Sequence, residues 1–124
     1  MSPGESEEHQ RIVRALIKHL NEQGYQTIGA ACDNFPQCEP IDGKIADFIG
    51  KNSQGQWAIG EAKTCDDMVN DRERTNEQFR AFASRNATFY PCCPKVCIEQ
   101  LHQILRELGL YGRANVIPLQ YSVS

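Results

Sequence analysis

Nothing in this 124-residue chain approaches the roughly 20 consecutive apolar residues that a bilayer-spanning helix requires, so no membrane span is expected. There is no excess of basic charge either: 13 Lys and Arg stand against 16 Asp and Glu, a net charge of -3. That balance argues against a protein that coats nucleic acid through a large basic surface, though not against a local basic patch beside acidic groups. The opening "MSPGESEEHQRIV" lacks the basic and then apolar pattern of a secretory leader, which makes the cytoplasm the expected location. Repeats, low-complexity stretches and linkers are also missing, and the length suits one compact domain over residues 1–124.

The six cysteines, at 32, 38, 65, 92, 93 and 97, show none of the paired C-x(2)-C knuckles of structural zinc sites. "CDNFPQC" and "PCCPKVC" could still gather Cys32, Cys38, Cys92, Cys93 and Cys97 around zinc or an iron-sulfur cluster. Without an export signal, reduced thiols are the default state, with Cys65 open to oxidation if exposed.

What the chain does have is clear periodicity. Ile12, Leu16 and Leu20, broadened by Val13 and Ile17, predict a helix from about Glu5 to Gln23, with Ser6 as N-cap and Gly24 as the stop. "YQTIGAAC" reads as a strand and "DNFPQCEPIDG" as a loop. Residues 45–63, "IADFIGKNSQGQWAIGEAK", read as a hairpin. A second helix over "MVNDRERTNEQFRAFASRN" carries Met68, Phe79 and Phe82 inward. "ATFYPC" is a short strand ended by Pro91, and "VCIEQLHQILRELGL" a helix with Val96, Leu101, Ile104, Leu105 and Leu108 apolar. "ANVIPLQYSV" is a last strand that Pro118 assigns to an edge. The expected fold is α/β in three layers, a mixed central sheet flanked by helices in the order α-β-β-β-α-β-α-β.

The hairpin carries the chemistry. With a five-residue loop, Asn52 to Gln56, Asp47 falls opposite Glu61, Ile49 opposite Ile59 and Ile45 opposite Lys63. Asp47, Glu61 and Lys63 then share one face, while Ala46, Phe48, Ala58, Gly60 and Ala62 form another, small enough for close helix packing. Two carboxylates facing each other repel unless a cation lies between them, and a hard divalent ion resolves this with carboxylate and carbonyl oxygens. A lysine two residues on is placed to hold or activate an attacking water. An exposed cross-strand salt bridge is the alternative use of the same three residues.

Asp47, a 13-residue spacer and Glu61-Ala62-Lys63 together resemble the signature of the PD-(D/E)XK nucleases, and the predicted element order is similar to the core of that restriction-endonuclease-like superfamily. Ala46 stands where the motif's name has proline. The resemblance implies a nuclease that hydrolyses phosphodiester bonds in DNA, possible substrates including branched and single-stranded forms, with Mg2+ or Mn2+ as cofactor. It implies Asp47, Glu61 and the Ala62 carbonyl as metal ligands and Lys63 as the residue assisting the water. It further implies an acidic residue on the first helix, for which Glu8 continues the Ile12, Leu16, Leu20 stripe, with Glu5 and Glu7 as rivals; the alternative for Glu8 is a place in a solvated first turn, where the helix dipole favours acids. Gln78 to Phe82 resembles the Gln-x-x-x-Tyr element of exonuclease-like members, with phenylalanine in place of tyrosine, so Gln78 either approaches the site or lies on the surface. Small stand-alone members, virus-type replication-repair nucleases and Holliday junction resolvases, have similar lengths. A domain of this size is expected to act as a homodimer or within a larger complex. The alternatives from other classes are a nucleic-acid-binding domain of the same fold that cuts nothing, and a cysteine-based metal or redox module. Arg72, Arg74, Arg80 and Arg85 could contact phosphates, or could belong to a solvated face shared with Asp71, Glu73 and Glu77. His9, His19 and His102 have no ligand-like pairing and take surface or boundary positions by default.

Overall fold

The computed structural model describes residues 7–32 and 34–122, so the predicted N-cap Ser6 and the rival Glu5 lie outside the described residues. The chain forms α1 (Glu7–Glu22), β1 (Gln26–Ala30), β2 (Phe48–Lys51), β3 (Trp57–Ala62), α2 (Cys65–Asn70), α3 (Arg72–Ala83), β4 (Thr88–Pro94), α4 (Ile98–Glu107) and β5 (Leu119–Tyr121). A 3-10 turn over Lys95–Cys97 leads into α4. The strands lie in the order β1-β2-β3-β4-β5, antiparallel through β3 and parallel from β3 to β5. The result is a mixed five-stranded sheet with helices on both faces.

The first helix stops as its glycine dictates. Gly24 has φ +97°, a left-handed conformation that most side chains resist, and it terminates α1. One helix was expected over the segment that begins at Met68, and two are found. Thr64 and Asp67 form a capping box, in which each side chain accepts the other's backbone N–H, and this starts α2 directly after Lys63. Asp71, at φ -129° and ψ 46°, then breaks the helical path before α3.

The hairpin register is the predicted one over Phe48–Lys51, but the ladder ends there: residue 47 is a bend whose N–H donates to Gly60, so the expected strand pairs Asp47–Glu61 and Ile45–Lys63 do not form. Phe48 pairs with Gly60, Ile49 with Ile59, Gly50 with Ala58 and Lys51 with Trp57. The loop closes through the Asn52 and Gln56 backbones, the Asn52 side chain accepts the N–H groups of Gln54 and Gln56, and Gly55 takes φ +81°.

The sheet separates two apolar clusters. On one side Ile12, Val13, Leu16, Ile17 and Leu20 of α1 pack on Phe48, Ala58 and Ala62, and each large side chain so buried contributes roughly 1.5–3 kcal/mol. Gly60 is what allows that approach, because a Cβ there would lie 2.8 Å from Leu16 Cδ2. On the other side Phe79 and Phe82 of α3 and Leu101, Ile104 and Leu105 of α4 pack against Ile59 and Phe89.

Four further expectations require correction. Ala46 packs with the α3/α4 cluster, not beside Phe48, because regular strand alternation begins only at Phe48 and residue 47 is a bend. Val96 is 89 % exposed, since the 3-10 turn rotates it away from the face that α4 buries. Pro91 does not end its strand, which continues to Pro94. Phe89 bonds towards the β5 side, to Asn115 and Ile117, and Cys92 towards the β3 side, so Pro91 turns its missing N–H towards β5. There the chain between Val116 and Leu119 forms no regular ladder and asks for no donor. Finally, Cys65 and Cys97 are joined in a disulfide across 32 residues, where reduced thiols were expected. Pro118 was correctly read: β5 is an edge strand.

Candidate active site

Asp47 immediately precedes β2, and Glu61 and Lys63 lie at and just beyond the end of β3, so the hairpin brings all three to one end of the sheet. The surroundings are dry for such polar groups: Asp47 is 7 %, Glu61 3 % and Lys63 5 % exposed. This burial excludes the exposed cross-strand salt bridge.

Each group is held by specific contacts. Asp47 Oδ2 accepts the Ala62 N–H at 2.8 Å and lies 3.2 Å from His9 Nε2. The Asp47 backbone is tied on both sides, its N–H donating to Gly60 and its carbonyl accepting from Ala31. Lys63 donates from Nζ to Gln78 Oε1 on α3 and lies 3.5 Å from Glu61 Oε2, while its backbone N–H bonds Cys92. A strand residue directs its N–H and C=O to the same side, so the Ala62 carbonyl also faces Asp47. Glu61 Oε1 is buried and has no hydrogen-bond partner.

The electrostatics follow from this crowding. Burial first, then the Asp47 charge, pushes the Glu61 carboxyl well above its ordinary value of 4.5, while the Lys63 ammonium opposes the shift. Burial and Lys63 both work against the imidazolium of His9. The hydrogen bond and charge of Asp47, with the charge of Asp67, outweigh them and raise the His9 pKa above its usual 6.5.

Gln78 thus approaches the site, as one of the two expectations for it had it. Glu8 does not. It is exposed on the outer side of α1, and His9 faces Asp47 instead. The reason is angular: a four-residue step overshoots one helical turn by about 40°, so extending Ile12, Leu16 and Leu20 backwards walks off the buried face by residue 8. His9, Val13, Leu16 and Leu20 follow the seam that stays buried. His9 could have been found by asking which residue of the first turn lies four before Val13, not four before Ile12.

The cysteines do not assemble. Cys92 and Cys93, adjacent on β4, point into opposite clusters, and Cys97 is spent on the disulfide. Of the arginines, Arg72 pairs with Glu107 and Arg74 with Asp71, leaving Arg80 and Arg85 exposed. His19 is exposed, and His102 stacks edge-on to Tyr111.

Among the described residues no group of three or more His, Cys, Asp and Glu side chains is arranged to hold a metal ion. The donors that could do so are two carboxylates and a main-chain carbonyl, an all-oxygen set of the kind hard divalent ions take. The unpartnered Glu61 oxygen and the repulsion between the two acids fit that set. No helix of the described residues is long and apolar enough to cross a membrane.

No protein-family model matches this chain, and no curated protein matches it. Among solved structures it is similar to the crystal structure of a repair endonuclease from Pyrococcus abyssi, with 17 % identity and a TM-score of 0.47 over 94 % of this chain and 47 % of that one. The chain therefore spans about half the length of that protein. A likeness of this degree says nothing about chemistry, and the functional reading below rests on the geometry of Asp47, Glu61, Lys63 and Gln78.

Proposed function

We propose that the chain is a divalent-metal-dependent nuclease that hydrolyses phosphodiester bonds in DNA. The observation that carries this reading is the convergence of two buried carboxylates and a buried ammonium at one sheet end, with one carboxylate oxygen left without a partner. Asp47 and Glu61, with the Ala62 carbonyl, would hold Mg2+ or Mn2+. The bound ion would supply Lewis acidity towards a phosphate oxygen and lower the pKa of an attacking water.

The chain's own residues set up that chemistry. Gln78 and Glu61 fix the Lys63 ammonium from two sides, so that it can orient a water and offset phosphate charge without searching rotamers. His9 and the Ala62 N–H hold Asp47 in one orientation. The capping box at Thr64 starts α2 directly after Lys63 and so fixes where the strand ends.

A second reading has its own observation. Asp47 Oδ2 already accepts two contacts and the cluster is nearly closed to solvent, which suits a nucleic-acid-binding domain that keeps the cradle only as a structural polar cluster.

Labelled single-stranded, duplex and branched DNA, incubated with Mg2+, Mn2+ or EDTA, separates the two readings. The expected result is Mn2+-supported cleavage that EDTA stops and that Asp47→Ala and Lys63→Ala abolish, with circular dichroism showing both variants folded. Absence of cleavage on every substrate, or cleavage unchanged in both variants, would overturn the nuclease reading.

A further inference from the structure

The face of the hairpin that carries Glu61 continues, away from the carboxylates, into an open groove of about 720 Å3. Its floor is Ile49 and Ile59, which are paired across β2 and β3, with Trp57 and Ile28 beyond them. One wall is the 36–41 segment, and the other is the turn after α3, where Arg85 and Asn86 are exposed. Trp57, Ile59 and Glu61 alternate along one strand face, so the indole lies about 13 Å from Glu61 at ~3.3 Å per residue.

Two of the floor side chains are unusually open for their size. Trp57 is 40 % and Ile28 50 % exposed, and the Lys51 ammonium lies over the indole, 5.0 Å from its centroid. The groove therefore joins an apolar floor and an aromatic plate to cations, Lys51 at the plate and Arg85 on the wall. An unpaired nucleic-acid strand has the matching composition, flat bases for the plate and phosphates for the cations. A cavity of this size holds one or two nucleotides and excludes a duplex.

We infer that this groove binds an unpaired stretch of DNA, with Trp57 stacking on a base. The inference deepens the nuclease reading by naming a substrate class, but the binding itself needs no metal. A base that displaces the Lys51 ammonium from the indole leaves that cation beside the phosphate the base brings with it. Arg85 neutralises a second phosphate. Among the described residues Glu39, exposed on the opposite wall, is the one carboxylate lining the groove, and it opposes the strand.

Trp57 is the chain's only tryptophan, so its fluorescence reports on this position alone. The full chain is titrated in EDTA with oligodeoxythymidylate and with a duplex of equal length, and affinity is measured in parallel by anisotropy of labelled oligonucleotide. Saturable quenching is expected with the single strand and little with the duplex. Trp57→Ala should weaken single-strand binding about five- to hundredfold, the range given by losing one stacking platform. Arg85→Ala should weaken it a few fold and flatten its salt dependence. Glu39→Gln should tighten it, which a merely structural role would not produce. Since Arg85 and Glu39 are exposed, their variants keep the test valid if Trp57→Ala fails to fold. Unchanged fluorescence, equal quenching by duplex, or unchanged affinity in the Arg85 and Glu39 variants would overturn the inference. Mn2+-dependent cleavage with no groove dependence would leave the nuclease reading standing alone. Single-strand affinity by anisotropy that responds to all three variants, without any cleavage, would support the groove and sink the nuclease.

Discussion

Replacing Glu61 by glutamine is expected to stabilise the metal-free protein above pH 5 while abolishing cleavage. Glu61 is 3 % exposed, and burial, then the charge of Asp47, raises its pKa well above 4.5. A carboxyl with a raised folded-state pKa keeps its proton longer in the fold than in the unfolded chain. Its contribution to stability is therefore complete below pH 4.5 and is lost as the pH rises through the folded value. Each pH unit within that window removes about 1.4 kcal/mol for the single proton involved. Lys63, with Nζ 3.5 Å from Glu61 Oε2, narrows the window. Glutamine keeps the shape, can accept from Lys63, and does not titrate. Urea unfolding in EDTA at pH 5, 6, 7 and 8 should show the stability advantage of Glu61→Gln growing with pH, by at most about 1.4 kcal/mol per pH unit. Added Mn2+ should then raise the wild-type midpoint and leave the variant's unchanged, because an ion that binds only the folded state stabilises it by mass action. Parallel pH profiles for the two proteins would refute the buried-acid reasoning. Equal stabilisation of both by Mn2+ would refute the ligand role of Glu61.

Other consequences can be checked on the same preparation. Gly60→Ala should cost roughly 1–3 kcal/mol by calorimetry, because the new methyl meets Leu16 Cδ2 at 2.8 Å and Phe48 Cβ at 3.1 Å, and Leu16→Ala should recover part of that loss in the double variant. Reducing the Cys65–Cys97 disulfide, or replacing both residues by serine, should lower stability by about 2–4 kcal/mol for a loop of this length, with non-reducing peptide mass spectrometry confirming the pairing. Burial pushes the thiols of Cys38, Cys92 and Cys93 up to about 12. At pH 8 about one part in ten thousand of each is thiolate, so native alkylation should label the partly exposed Cys32 and reach the other three only in denaturant. Labelling of Cys92 or Cys93 in the native protein at the rate of Cys32 would show that β4 is not packed as described.

What the sequence determined by itself is whatever local periodicity and turn chemistry can fix. The stripe through Ile12, Leu16 and Leu20 and the left-handed Gly24 specify α1 without reference to anything else. The five-residue loop from Asn52 to Gln56 sets the index sum of the hairpin over Phe48–Lys51, which brings Asp47 and Glu61 to the same end of the sheet although the ladder itself stops at Phe48. That is why the central trio was legible: strand pairing converts a loop length into a position along the neighbouring strand. Tertiary structure alone decided the rest, because the deciding contacts join residues far apart in the chain. From sequence Glu8 is the helix candidate and His9 takes a surface or boundary position, until the azimuth of α1 over the sheet selects His9 for Asp47, 38 residues away. Gln78 reaches Lys63 only because a capping box and a break at Asp71 turn one predicted helix into two and set the direction of α3. Pro91 is tolerated inside a central strand only because its neighbour β5 has not yet begun its ladder at that level. Cys65 finds Cys97 only once α2 and α4 pack at the same end of the molecule. Periodicity states which residues share a face, and packing in three dimensions determines what that face meets.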